Sequence, residues 1–237
     1  MADQVVIDSR FRGPAESGNG GYACGALARF VDARSAEVTL RLPPPLDRPL
    51  EVERVGPGRA EMRDGDAVIA EAGPAGELDL DIPAPLDVEQ AARARDASPM
   101  QHEHPFPNCF VCGPERRPGD GLRVTCGPVG DRRVVASPWT VDESLPREDG
   151  AVAPEIVWSV LDCPGGISSM LLPSVGVSVL GRLTARIDAR IEPGMTCVAL
   201  GWPIDRDGRK LSAGTALLSE DGELLAHARA TWIELKR

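Results

Sequence analysis

Two stretches of this chain repeat one design. "DGDAVIAEA" (Asp64–Ala72) and "DGELLAHAR" (Asp221–Arg229) each open on Asp-Gly and run on as an apolar strand rich in small residues. Asp-Gly between apolar runs is a strong short-range mark of a β-hairpin. Each hairpin follows an alternating segment, "AEVTLRL" (Ala36–Leu42) in the first case and "LTARIDARI" (Leu183–Ile191) in the second. Such alternation predicts strands with one buried face. A helix precedes each strand group. The first spans Asn19 to Asp32, with Ala23, Ala26, Leu27, Phe30 and Val31 on one face. The second begins near Pro154, a residue suited to a first helical turn, and runs through Ile156, Val157, Val160 and Leu161. Pro164 kinks or ends it, with "GGISSMLL" as its continuation.

Between the two groups lies "IPAPLDVEQAARARDASPMQHEHPFPN", polar and bounded by prolines, with a short helix predicted over residues 88–95. The chain of 237 residues therefore divides at this connector into expected domains 1–97 and 98–237. Each reads as strand, helix, then several antiparallel strands. One sheet wrapped around one helix, present twice, is a double hotdog: an α+β fold of two antiparallel sheets, each around a central helix. One such unit leaves a sheet edge and a helix face exposed, and the second copy covers them.

Composition narrows the function classes. Hydrophobic residues make up 42%, enough for a core and too many for disorder. Acidic residues outnumber basic ones, 36 to 26, and Lys210 and Lys236 are the only lysines. No basic patch points to nucleic acid. No run of eighteen apolar residues points to a membrane span, and "MADQVVIDSRFRG" has no signal-like apolar run. Six dispersed cysteines in a chain this long predict reduced thiols and a cytoplasmic setting.

The residues that carry a family resemblance are short motifs in both halves. "SGNGGY" with "VTLRLPPPLDRPLEVERV…GDAVIAEA" resembles the N-terminal half of double-hotdog acyl-CoA thioesterases. "NCFVCGPERRPGDGLRV" with "PEIVWSVLDCPGG" resembles a hotdog of the phenylacetate-pathway (PaaI-like) type. In that family a His-Gly-Gly turn starts the helix and its N–H groups polarise the thioester carbonyl. An Asp or Glu about nine residues after the His activates water or attacks directly. In many family dimers the glycine and the acid come from different subunits. Here Asn19-Gly20-Gly21 matches the turn, with Asn in place of His, and Ala28 stands where the acid belongs. In the second half Asp162 matches the acid, while Ala153 stands where the turn belongs. The resemblance thus implies one composite site: Gly20 and Gly21 as oxyanion donors, Asn19 in the turn, and Asp162 as base or nucleophile.

Physical chemistry supports that division. A helix N-terminus offers free N–H donors and partial positive charge, which a developing oxyanion requires. Glycine costs helix stability, so Gly20 and Gly21 signal a close approach to the backbone. That approach is an acyl group or, alternatively, tight packing. Asp162 between Leu161 and Cys163 is a carboxylate in an apolar helix, where burial raises its pKa. Its alternative reading is a cap on the backbone broken by Pro164. Tyr22, Trp158 (one turn before Asp162) and Ser168 are expected to contact substrate, with Ser169, Ser174 and Ser178 as alternatives to Ser168 for orienting Asp162 or the water. Trp139, Trp202 and Trp232 are expected in the core, and His227 is expected to be structural.

"HEHPFPNCFVCG" holds His102, His104, Cys109 and Cys112. Two histidines and a Cys-x-x-Cys form a credible zinc set. The His-x-His spacing is unlike common fingers, so a packed turn of reduced thiols, with no metal and no cofactor, is the expectation. The expected activity is thioester hydrolysis on an acyl-CoA or acyl-carrier substrate. A non-catalytic acyl-thioester binder stays open, as does homodimerisation of the double hotdog. A hydratase needs a His with its acid, and neither helix start has one nearby.

Overall fold

The computed structural model describes residues 3–236. The first half comprises β1 (Asp3–Val6), α1 (Gly20–Ala28), β2 (Ala36–Leu40), β3 (Pro49–Gly56), β4 (Arg59–Asp64) and β5 (Ala67–Pro74). The connector carries α2 (Val88–Asp96). The second half has short strands β6 (Gly127–Pro128), β7 (Val135–Thr140), β8 (Arg147–Glu148) and β9 (Ala151–Val152), then α3 (Pro154–Ile167). It ends in four long strands, β10 (Ser178–Ile187), β11 (Thr196–Asp207), β12 (Lys210–Ser219) and β13 (Leu224–Glu234). Both Asp-Gly hairpin turns form where the sequence places them, with Gly65 and Gly222 at positive φ.

The strands do not make two separate sheets. They form one antiparallel sheet of eleven, in the order β1-β3-β4-β5-β2-β10-β13-β12-β11-β7-β6, with β8 and β9 as a separate pair. The two strand groups meet edge to edge where β2 pairs with β10, Val38 opposite Leu183 and Glu37 opposite Thr184. An open edge is a row of unpaired backbone groups, and each half satisfies the other's. Side chains reinforce the seam. Thr184 Oγ1 donates to Glu37 Oε2 at 3.1 Å, and Arg182 Nε donates to Thr39 Oγ1 at 2.9 Å.

Helices α1 and α3 lie together on one face of this sheet and share its main core with Leu27, Val38, Met62, Ile156, Leu161 and Leu183. The predicted one-sided stripe on α1 is therefore only part of its burial. Residues Gly21 through Leu27 are all buried, because sheet covers one side and α3 the other. The approach to α3 is set by Gly21 and Gly25, one turn apart. A Cβ on Gly21 would sit 2.5 Å from Asp162 Cβ and 2.6 Å from Trp158 O. A Cβ on Gly25 would sit 2.6 Å from Glu155 Cα. The helices run antiparallel at a distance that only glycine permits.

Pro164 does not end α3. The helix continues to Ile167 and tightens into a 3-10 turn over Ser168–Leu171. Thr215 Oγ1 donates to Leu161 O at 2.8 Å, serving a carbonyl in the turn before the proline. The connector helix α2 packs its Ala91 and Ala94 on the other face of the second half's strands, against Val134, Ala136, Val198, Leu200 and Trp202. Among the described residues no helix is long and apolar enough to cross a membrane.

Candidate active site

Asn19 caps α1: its Oδ1 accepts the Tyr22 N–H at 2.9 Å, which satisfies one of the free donors of the first turn. The same side chain turns its amide toward α3, and Nδ2 donates to Asp162 Oδ2 at 3.0 Å. Gly21 N–H donates to that same oxygen at 2.8 Å. Residues 143 positions apart are thus joined at a helix N-terminus. The N–H of Gly20 has no partner among the described residues.

Asp162 is 1% exposed. One oxygen holds both donors, and Oδ1 is buried with no hydrogen-bond partner. Burial pushes its carboxyl up to about 7, against the opposing pull of the Gly21 and Asn19 hydrogen bonds. A carboxyl placed there exchanges protons near neutrality, as a general base requires.

Asp162, Asn19 and Gly20 line a cavity of about 1070 Å³. Its walls are largely apolar, with Leu40, Phe106, Ile167, Met170 and Leu180 from four segments of the chain. Leu42, Val177 and Leu235 are exposed large hydrophobics on the same cavity. A large, mostly apolar cavity with a few convergent polar groups is the ordinary form of a small-molecule site.

No protein-family model matches the chain, and no curated protein does. Solved structures match over nearly its whole length. Acyl-CoA thioesterase II TesB2 from Mycobacterium marinum superposes with a TM-score of 0.63, covering 99% of this chain and 93% of its own, at 14% identity. The tesB protein of Mycobacterium avium subs paratuberculosis gives 0.60, covering 92% and 88%, at 14% identity. The fold is that of the hotdog thioesterases. At these identities the likeness is one of fold, and the chemistry rests on the residues themselves.

Within this hotdog fold the sequence-expected site residues separate into two groups. Asn19, Gly20 and Asp162 meet on the cavity wall. Gly21 touches Asp162 but faces α3, and its N–H is already engaged. Three expected substrate contacts lie elsewhere. Tyr22 stacks on Phe11 with ring centroids 4.1 Å apart, and Phe11 meets Phe110 edge-on, so Tyr22 is a core residue. Trp158 packs over Gly25 in the helix crossing. Ser168 is fully buried and donates to Gly165 O at 2.7 Å, leaving Ser169 to face the cavity. Trp232 is a core residue, as read from sequence, and its buried ring also forms cavity wall beneath Gly166.

The cysteine–histidine segment also resolves differently from its sequence pattern. His102 is exposed and lines a separate depression with Arg95 and Trp139. Cys109 and Cys112 are instead joined by Cys163 from α3, next to Asp162. Hydrogen bonds from Cys112 and Cys163 hold the Cys109 thiol well below the usual range. Cys163 lies 54 residues after Cys109, and no local spacing signals the meeting. The one available clue was its position beside the candidate acid.

Proposed function

We propose that this protein is a thioester hydrolase of double-hotdog architecture, its halves 1–97 and 98–237 sharing one site. The observation that carries the reading is Asp162: a buried carboxylate on a cavity wall, tied through one oxygen to a helix N-terminus, with the other oxygen free. The acyl chain lies along the apolar wall. The thioester carbonyl oxygen takes the free Gly20 N–H, where the α1 dipole favours developing negative charge. Asp162 Oδ1 accepts a proton from water as the water oxygen attacks the carbonyl carbon. The carbon–sulfur bond then breaks, and the proton passes to the leaving thiolate, giving a free acid and a thiol. Asn19 and Gly21 orient the carboxylate throughout.

An acyl-CoA is the favoured substrate class, supported by the named activity of the TesB2 relative. The test is a panel of acyl-CoA esters of increasing chain length with detection of the released thiol. Wild type should turn over at least one, and Asp162→Asn should lose about 100-fold or more while keeping its melting temperature. Saturable binding of the panel with no hydrolysis by wild type would replace this reading with that of an acyl-thioester-binding protein.

A further inference from the structure

We propose that Cys109, Cys112 and Cys163 together bind one thiophilic divalent cation, zinc by the chemistry of the donor set. Their three sulfur atoms lie within 4.8 Å of one another, and all three residues line the cavity beside Asp162. Cys109 Sγ and Cys163 Sγ are 3.8 Å apart. Tetrahedral zinc with sulfur ligands at about 2.3 Å needs sulfurs about 3.8 Å from each other. The Cys109–Cys163 spacing already suits a shared cation, and the Cys112 sulfur lies within 4.8 Å of both.

The local chain is built to hold that arrangement. Cys109 and Cys112 sit on one tight turn, closed by Gly113 N–H donating to Cys109 O at 3.0 Å. A Cβ on Gly113 would lie 2.5 Å from the carbonyl oxygens of both Cys109 and Pro107, so the turn closes only on glycine. The third sulfur arrives on the rigid frame of α3.

Each sulfur also faces an N–H donor. Asn19 Nδ2 lies 3.9 Å from Cys109 Sγ and 3.8 Å from Cys163 Sγ. His104 Nε2 lies 3.2 Å from Cys112 Sγ. The Phe106 N–H donates to His104 Nδ1 at 2.9 Å, so a neutral His104 carries its hydrogen on Nε2 and donates it to Cys112. Donors around the sulfurs are what an outer shell supplies to metal-bound thiolates. Buried cysteines without a cation stay neutral thiols, and a divalent ion would offset the charge that coordination by their thiolates brings in.

His104 falls outside the group of mutually close donors and is an outer-shell partner, not a ligand. The fourth coordination position then belongs to water or to an atom of the cavity's occupant, as in zinc sites that keep an open position.

The test is metal analysis of the full chain, produced with zinc in the medium and purified under reductant without chelator. About one zinc per chain is expected in wild type, falling below about a tenth in Cys163→Ser and in Cys112→Ser. Cys197→Ser, a buried cysteine outside the cluster, should keep its zinc. Competition with a chromogenic chelator should show His104→Gln binding zinc about 10-fold or more weakly, with full occupancy at saturation. Should the serine variants not fold, wild type stripped of metal and reloaded with cobalt decides. Sulfur-to-cobalt charge-transfer absorption is expected. Zinc below about a tenth per chain together with no such absorption, or full occupancy in folded Cys163→Ser, would overturn the site.

Discussion

The two ends of the α1–α3 pair are built from the same parts and finished in opposite ways. At one end the N-terminus of α1 has a side-chain cap, Asn19, and a facing carboxylate, Asp162. At the other, the N-terminus of α3 has Ala153 with no side-chain cap, and Pro154, which has no N–H to offer. Ala28 stands on α1 where a facing acid would be. Glu155 in the first turn of α3 is instead paired with Arg29 at 3.3 Å, and Arg29 reaches Glu148 at 3.1 Å. None of Ala28, Arg29, Ala153 or Glu155 lines the cavity. A helix N-terminus alone is therefore not a site. What differs is whether a second helix delivers an unpaired carboxyl oxygen to it and whether space is left beside it.

This contrast can be broken or sharpened by substitution. The largest effect is expected where the helices touch. Gly21→Val drives a side chain into Trp158 O and Asp162 Cβ, so it should cost about 3 kcal/mol of stability by overpacking and abolish turnover. Gly25→Val meets Glu155 backbone and should cost a similar amount of stability, measured by denaturant unfolding. It lies away from Asp162, so its residual folded fraction should retain more activity than that of Gly21→Val.

Asn19→Ala comes next. It removes the cap, at about 1 kcal/mol, and one of the two donors to Asp162. Turnover should fall about 10-fold, in keeping with one lost hydrogen bond to a charged group. Turnover at the wild-type rate would mean that Gly21 N–H alone orients the carboxylate.

At the opposite end the effects should be small. Arg29→Ala removes the partner of exposed Glu148 and of the largely buried Glu155, and should cost about 1 kcal/mol of stability with turnover unaltered. Ala28→Ser should stay within about 0.5 kcal/mol of wild type. A large loss of thioester turnover in either variant would show that this end takes part in the chemistry.

Much of the frame was legible along the chain. Alternation at Ala36–Leu42 marked β2, and the Asp-Gly pairs marked both hairpins, because turn chemistry and a two-residue period are local. Asn19 before an apolar helix and Pro154 at a helix start were local signals too. Pro164 was less readable. A proline removes one N–H but does not by itself end a helix whose neighbours are held in place by packing.

Sequence alone determined the repeated strand and helix order, the polar connector, and the presence of an acid, Asp162, between apolar residues of a helix. These follow from periodicity and turn chemistry, which act over a few residues. Tertiary structure decided that the strands form one sheet joined at β2 and β10, that Gly20 faces the cavity while Gly21 faces α3, and that Tyr22, Trp158 and Ser168 pack away from it. It also decided that Cys163, not His102, meets Cys109 and Cys112. A helical period states which residues share a face. Which partner covers that face is set by contacts between distant segments, 54 residues apart for Cys109 and Cys163 and 143 for Asn19 and Asp162, and those contacts leave no period to read.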